Sequence, residues 1–194
     1  MGDDMARGIL LYVIGASGSG KDSLMQVARE ALAGDADVVF AHRYITRPAN
    51  AGGENHVALS ETEFDARLAR NLFAMHWRSH GLRYGLGCEL NHWLAKGLTV
   101  VVNGSREYLD EATRKYSELK PVLIEVATEV LRERLQSRGR ESAADIETRL
   151  TRAEAFKRLR HPQLLRLTNN APLSETGAAF VALIRSQTAV MTCD

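Results

Sequence analysis

Apolar and polar positions follow two rhythms along this chain. Gly8–Ile14 (GILLYVI) is an unbroken apolar run of strand length, the mark of a strand buried on both faces. Lys21–Ala33 follows with apolar residues at Leu24, Val27, Ala28, Ala31 and Leu32, the spacing of one helix face. Asp37–Ala41 (DVVFA), Leu98–Gly104 (LTVVVNG) and Pro121–Ala127 (PVLIEVA) read as further core strands, with Leu165–Leu167 a fainter fourth. Helical patterns fill Glu89–Lys96, Arg106–Ser117, Thr128–Ser137, Ala143–Leu159 and Ser174–Arg185. Strands alternating with helices predict an α/β fold, a mostly parallel sheet covered on both faces in three layers. His42–Gly87 breaks the rhythm. It is rich in Gly, His, Asn and Arg and reads as an inserted lobe, not a core crossover.

Composition narrows the partners. The chain has 194 residues, which suits one compact domain with small inserted lobes. Its 45% apolar and 25% charged residues are ordinary for a globular chain, and a net charge of +1 offers no general attraction to nucleic acid or an anionic membrane. Any basic site must therefore be local. No apolar run approaches the roughly 20 residues that span a bilayer, and MGDDMARG leads into the first strand without signal-peptide features. Cys88 and Cys193 lie far apart and outside metal spacing, as expected for two reduced thiols in a cytoplasmic protein.

Between the first strand and the first helix, Gly15, Gly20 and Lys21 fit G-x-x-x-x-G-K. Glycines in that turn let backbone N–H groups face a polyphosphate, the helix start adds favourable potential, and the lysine reaches the outer phosphates. The residue after the lysine is Asp22, where Ser or Thr would ordinarily hold magnesium. Asp22 either holds the ion, directly or through water, or acts as a favourable negative charge in the first helical turn; both readings stay open. Ser23 can donate to a phosphate oxygen.

Other stretches are more specific. YITRP…GGENHVALSETEF (Tyr44–Phe64) resembles the guanylate kinase stretch in which T-R-x-P-R is followed by a glycine turn, Y-H-F-V-S and E-F. GLRYG (Gly81–Gly85) is similar to that family's G-N-Y-Y-G, and LTNNAPL (Leu167–Leu173) to its V-N-D-D-L. LRERLQSRGRESAADIETRL (Leu131–Leu150) resembles the arginine-bearing lid, R-L-x-x-R-G-x-E and then I-x-x-R-L. The resemblance implies a guanylate kinase-like P-loop fold, with core 1–41, 88–137 and 160–194, an acceptor-binding lobe 42–87 and a helical lid 138–159. It also exposes a loss. The glutamate that reads guanine falls nine residues before Tyr84, at Met75, and the guanine-contacting hydroxyl two residues after it falls at Leu86. Apolar side chains there remove the base reader. HRYITR (His42–Arg47), GGENHVALS (Gly52–Ser60), NGSR (Asn103–Arg106) and SGKDSL (Ser19–Leu24) closely resemble the bacterial ribose 1,5-bisphosphate phosphokinases, whose loop carries the same aspartate.

That resemblance implies ATP-dependent transfer of the γ-phosphoryl group to the 1-phosphate of ribose 1,5-bisphosphate, giving 5-phosphoribosyl 1-diphosphate in phosphonate breakdown. The alternative is a nucleoside monophosphate kinase of altered base preference. Expected ATP contacts are Gly15, Ala16, Ser17, Gly18, Ser19, Gly20, Lys21, Asp22 and Ser23, with Mg²⁺ as cofactor and Asp22 its candidate ligand. Lys21, Arg138 and Arg149 are the expected catalytic cations, with Arg140 and Arg152 secondary. Arg47, His56 and Tyr84 are the acceptor-phosphate candidates, followed by Arg43, Arg78 and Arg83. Asn55 or Asn103 is open to sugar hydroxyls, and Asn103 equally to closing a strand before Gly104. Asn169 and Asn170 are candidates beside the nucleotide base. His76, His80 and His92 have no metal spacing, and Trp77 and Trp93 read as packing residues. The partners are small molecules, with neither nucleic acid nor membrane, and a homodimer is left open.

Overall fold

The computed structural model describes residues 8–51, 54–137, 139 and 142–189. Strand β1 (Leu10–Gly15) enters helix α1 (Lys21–Ala31) and then β2 (Val38–Phe40). The inserted lobe follows as β3 (Tyr44–Ile45), β4 (Val57–Ala58), α2 (Glu61–Ala69), β5 (Phe73–Ser79) and β6 (Leu82–Gly87). The core resumes with α3 (Glu89–Ala95), β7 (Thr99–Asn103), α4 (Leu109–Lys115), β8 (Leu119–Glu125) and α5 (Thr128–Ser137). It closes with α6 (Ala143–Lys157), β9 (Leu165–Thr168) and α7 (Leu173–Ala189).

The main sheet is five-stranded and parallel, in the order β2-β7-β1-β8-β9. β1 is its centre, and its side chains divide between two cores by simple alternation. Leu11 and Val13 join Leu24, Ala28, Phe180 and Ile184 on the face covered by α1 and α7. Leu10, Tyr12 and Ile14 join Leu90, Leu109 and Ala112 on the face covered by α3 and α4. This is the three-layer architecture that the apolar run at the start of the chain predicts.

The lobe carries its own four-stranded sheet, order β4-β3-β6-β5, which the sequence pattern does not reveal. Strands of two residues are too short to show a period. β5 and β6 form an antiparallel hairpin around a two-residue turn at His80–Gly81, both at positive φ. Trp77 pairs with Tyr84 and Met75 with Leu86 on the face toward the second core, while Arg78 pairs with Arg83 on the opposite face. An irregularity between Phe73 and Met75 re-aims Phe73 to that outer face, where it stacks on Phe64 of α2. α2 starts with a reciprocal capping box between Ser60 and Glu63, a readable S-x-x-E signal that the periodicity alone passed over.

Met75 and Leu86 are both fully buried and directly opposed. A lone carboxylate at position 75 would be buried against apolar neighbours without a partner. Met75→Glu is expected to lower folding stability by about 4 kcal/mol, read as a shift of the urea midpoint.

Candidate active site

The loop between β1 and α1 makes a tight turn with Gly18 at φ 92° and Gly20 at φ 81°. Both lie in the left-handed region that side chains disfavour, and a Cβ on Gly20 would meet Asn169 Nδ2 at 2.5 Å. Asn169 is buried and donates to the Ser19 carbonyl at 2.7 Å, so it props the loop from beneath. Asn170 accepts from the Ala127 N–H at 2.8 Å. Both asparagines hold backbone around the loop, Asn169 at Ser19 and Asn170 at Ala127.

A cleft of about 1670 Å³ opens over the loop. A single small ligand ordinarily takes roughly 300–1,000 Å³, so there is room here for a donor and an acceptor together. Its floor is Gly15–Ser23, all nine expected ATP-contacting residues. Arg43, Glu54, Trp77 and Tyr84 of the lobe form one wall, Asn103–Glu107 another, and Arg149, Arg152 and Phe156 of α6 the roof.

Lys21, the first residue of α1, donates to Asn103 Oδ1 at 2.5 Å and to Asp22 Oδ1 at 3.0 Å. Burial pushes its ammonium pKa below the usual lysine value, and the Asp22 carboxylate only partly restores it. Burial pushes Asp22 the other way, but Lys21, Arg43 and a hydrogen bond from Asn103 Nδ2 at 3.0 Å outweigh it. Its carboxyl is therefore held below the usual aspartate value. Asp22 remains about half exposed toward the cleft, beside the hydroxyl of Ser23. A half-exposed, readily ionised carboxylate next to the phosphate loop has the hard oxygen chemistry that Mg²⁺ takes.

Asn103 continues the network, donating to Glu54 Oε2 at 2.5 Å. Glu54 in turn takes both the Nε (2.7 Å) and an NH2 bond of Arg43, and the Arg43 guanidinium lies over the Tyr84 ring at 4.8 Å. One polar chain thus links the lobe to the phosphate loop. The wall at Asn103 is braced from β1: the Tyr12 hydroxyl accepts from Ser105 N at 2.9 Å and donates to Ser105 O at 3.1 Å. Gly104 must lack a side chain here, because a Cβ would lie 2.2 Å from the Tyr12 ring. Helix α4 begins at Leu109, three residues after the Arg106 at which the periodicity would start it.

Several expected residues converge on the cleft. Lys21, Arg43, Tyr84, Arg149 and Arg152 line it, and Arg149 NH1 donates to Ser17 Oγ at 2.6 Å, tying α6 to the phosphate loop. Arg138 and Arg140 lie outside the described residues. Others are placed elsewhere. Arg83 is 7% exposed, ion-paired with Glu61 and Asp65 and stacked over Phe64, so it fastens α2 to the lobe sheet. Arg78 shares that outer face and points away with it. Strand alternation is the reason: both flank residues that face the cleft. Arg47 NH2 and His56 Nδ1 face each other at 3.2 Å, and neither lines the cleft.

The sequence reading missed Glu54, Arg106 and Arg134. Arg106 lines the cleft, its guanidinium over the Phe156 ring at 5.1 Å. Arg134 NH1 is buried without a hydrogen-bond partner among the described residues and lies 3.7 Å from where a Gly20 Cβ would be. Its place in R-L-x-x-R, four residues before Arg138, was the available signal.

Asp22 carries a testable pH signature. Its folded pKa lies below the 3.8 of an ordinary aspartate, so it adds stability that is present above that value and lost as pH falls through the lowered one. Urea titrations should show wild type more stable than Asp22→Asn at pH 6, with the gap closing as the pH drops below 3.8.

No family model matches the chain. It is 59% identical over 182 residues to the ribose 1,5-bisphosphate phosphokinase PhnN of Thiobacillus denitrificans, covering 93% of this chain and 94% of that one. It is 58% identical over 179 residues to the protein of the same name from Desulfomicrobium baculatum, covering 92% and 95%. Among solved structures it is similar to the guanylate kinase of Anaplasma phagocytophilum, with a TM-score of 0.67 at 16% identity over 94% of this chain and 87% of that one. This last likeness speaks for the fold, and the sequence relatives speak for the family. The chain belongs to the ribose 1,5-bisphosphate phosphokinase family.

Proposed function

We propose that this protein transfers the γ-phosphoryl group of ATP to the 1-phosphate of ribose 1,5-bisphosphate, yielding 5-phosphoribosyl 1-diphosphate and ADP. One observation carries the reading beyond family membership. A two-substrate cleft keeps its phosphate loop and cationic walls, while Met75 and Leu86, which fall where the guanylate kinase resemblance puts the guanine-reading polar groups, are fully buried apolar residues outside the cleft lining. A site that holds phosphates and cannot read a base fits a phosphorylated sugar.

The acceptor is itself a phosphate, whose oxygen is nucleophilic at neutral pH, so the task is positioning and charge neutralisation in an in-line transfer. The loop Gly15–Ser23 receives the ATP phosphates. Lys21 exchanges Asn103 and Asp22 for outer phosphate oxygens, which return the stabilising negative charge that burial makes it need. Arg149 enters from α6, already in contact with Ser17, to meet the charge that develops on the transferring group. Arg106 and Tyr84 face the acceptor from the two walls. Mg²⁺, bound with ATP, would offset the negative charge of the phosphate groups, and Asp22, whose carboxylate opens to the cleft, would be the residue to hold it.

The test is ADP release with ATP and magnesium, offering ribose 1,5-bisphosphate, GMP, AMP and ribose 5-phosphate side by side. The bisphosphate is expected to be turned over with kcat/KM at least 100-fold above any nucleotide. A nucleotide winning would replace this reading with that of a nucleoside monophosphate kinase. Lys21→Ala should lower kcat by about 10³-fold or more with an unchanged fold by circular dichroism, in keeping with the loss of one preorganised charge.

A further inference from the structure

Glu54 puts a carboxylate inside a cleft built for phosphates. Its side chain is 11% exposed and fixed from two directions, by the Arg43 fork and by Asn103 Nδ2. Arg43 is itself held over the rings of Tyr84 and Trp77, at 4.8 and 6.0 Å. A carboxylate so placed repels phosphate oxygens, so its use must lie with a donor. It has about four acceptor positions, of which three are taken, leaving one on Oε1. The guanidinium fork covers the edge that a metal ion would take. The donor left is a hydroxyl, and the acceptor ribose carries two.

Distance along the network selects between them. Asn103 touches Lys21 at 2.5 Å and Glu54 at 2.5 Å, so a single side chain separates Glu54 from the ammonium at the transfer point. The hydroxyl next to the reacting end is the 2-hydroxyl, adjacent to the carbon that bears the acceptor phosphate. We propose that Glu54 accepts a hydrogen bond from the 2-hydroxyl of the acceptor sugar and so makes the site select ribose over 2-deoxyribose. The proposal rests on the sugar bisphosphate being the acceptor. Arg43, one of the expected phosphate-binding cations, becomes on this view the positioning residue for Glu54.

The experiment compares ribose 1,5-bisphosphate with 2-deoxyribose 1,5-bisphosphate in wild type, Glu54→Gln and Glu54→Asp. Wild type should prefer the ribose compound by about 10–100-fold in kcat/KM, the discrimination of one charge-assisted hydrogen bond. Glu54→Gln should bring that ratio below about 3-fold. Glu54→Asp, which keeps the charge but withdraws it by one methylene, should do the same and serves if the glutamine variant is unstable. A ratio unchanged in the variants, with both substrates falling together, would mean that Glu54 only supports Arg43 and would overturn the proposal. So would a wild type indifferent to the 2-hydroxyl. A wild type that ignores both bisphosphates and turns over a nucleotide would instead defeat the proposed function, a result distinct from the other two.

Discussion

Everything in this molecule is referenced to the burial of β1 on both of its faces. Leu10 through Ile14 are all at most 1% exposed, and successive side chains enter opposite cores. A strand in that position cannot slip by one residue, because a slip would exchange every contact on both sides at once. Its fixed end therefore delivers the glycine loop and Lys21 to a fixed point. Its one polar side chain, Tyr12, reaches through the second core to grip Ser105, so the wall carrying Asn103 and Arg106 is set by the same strand. Donor floor and acceptor wall share one origin.

The polar chain from Lys21 through Asn103 and Glu54 to Arg43 is the electrostatic counterpart of that rigidity. Lys21 sits in a place that disfavours its charge, and Asp22 and Asn103 answer it only with a carboxylate half open to solvent and an amide. A triphosphate supplies what those groups supply poorly. Binding and the readiness of the lysine are thus one event, since the ligand completes the solvation that the fold withholds.

How much of this was legible in the sequence depends on which scale of order a residue obeys. The core strands and helices came through because long elements buried on one or two faces repeat their pattern several times. The glycine loop came through because its spacing is local. The lobe came through only as a break in that rhythm and its strands did not, since Tyr44–Ile45 and Val57–Ala58 are too short for any period and the shift at Ala74 changes which side Phe73 faces. Arginines show the same divide. Motifs pick out Lys21 and Arg149, which line the cleft, whereas Arg83, also an expected phosphate contact, faces away from it, because only strand register tells it from its neighbour Tyr84. Glu54 was invisible for a related reason: its partners lie 11 and 49 residues away along the chain.

The Met75–Leu86 pair bears on how such an enzyme could ever change acceptor class. The two side chains face each other across neighbouring strands with no exposed surface, so each is the other's environment. A polar residue introduced at either position alone would find an apolar partner and no water, and the folded state would suffer before any new ligand could be recognised. Both positions would have to change together, with a ligand present to complete the pairing. Intermediates along the path are thus less stable than either end. On the proposed reading of the acceptor site, what keeps the two related chemistries apart is a barrier of packing and not of catalysis.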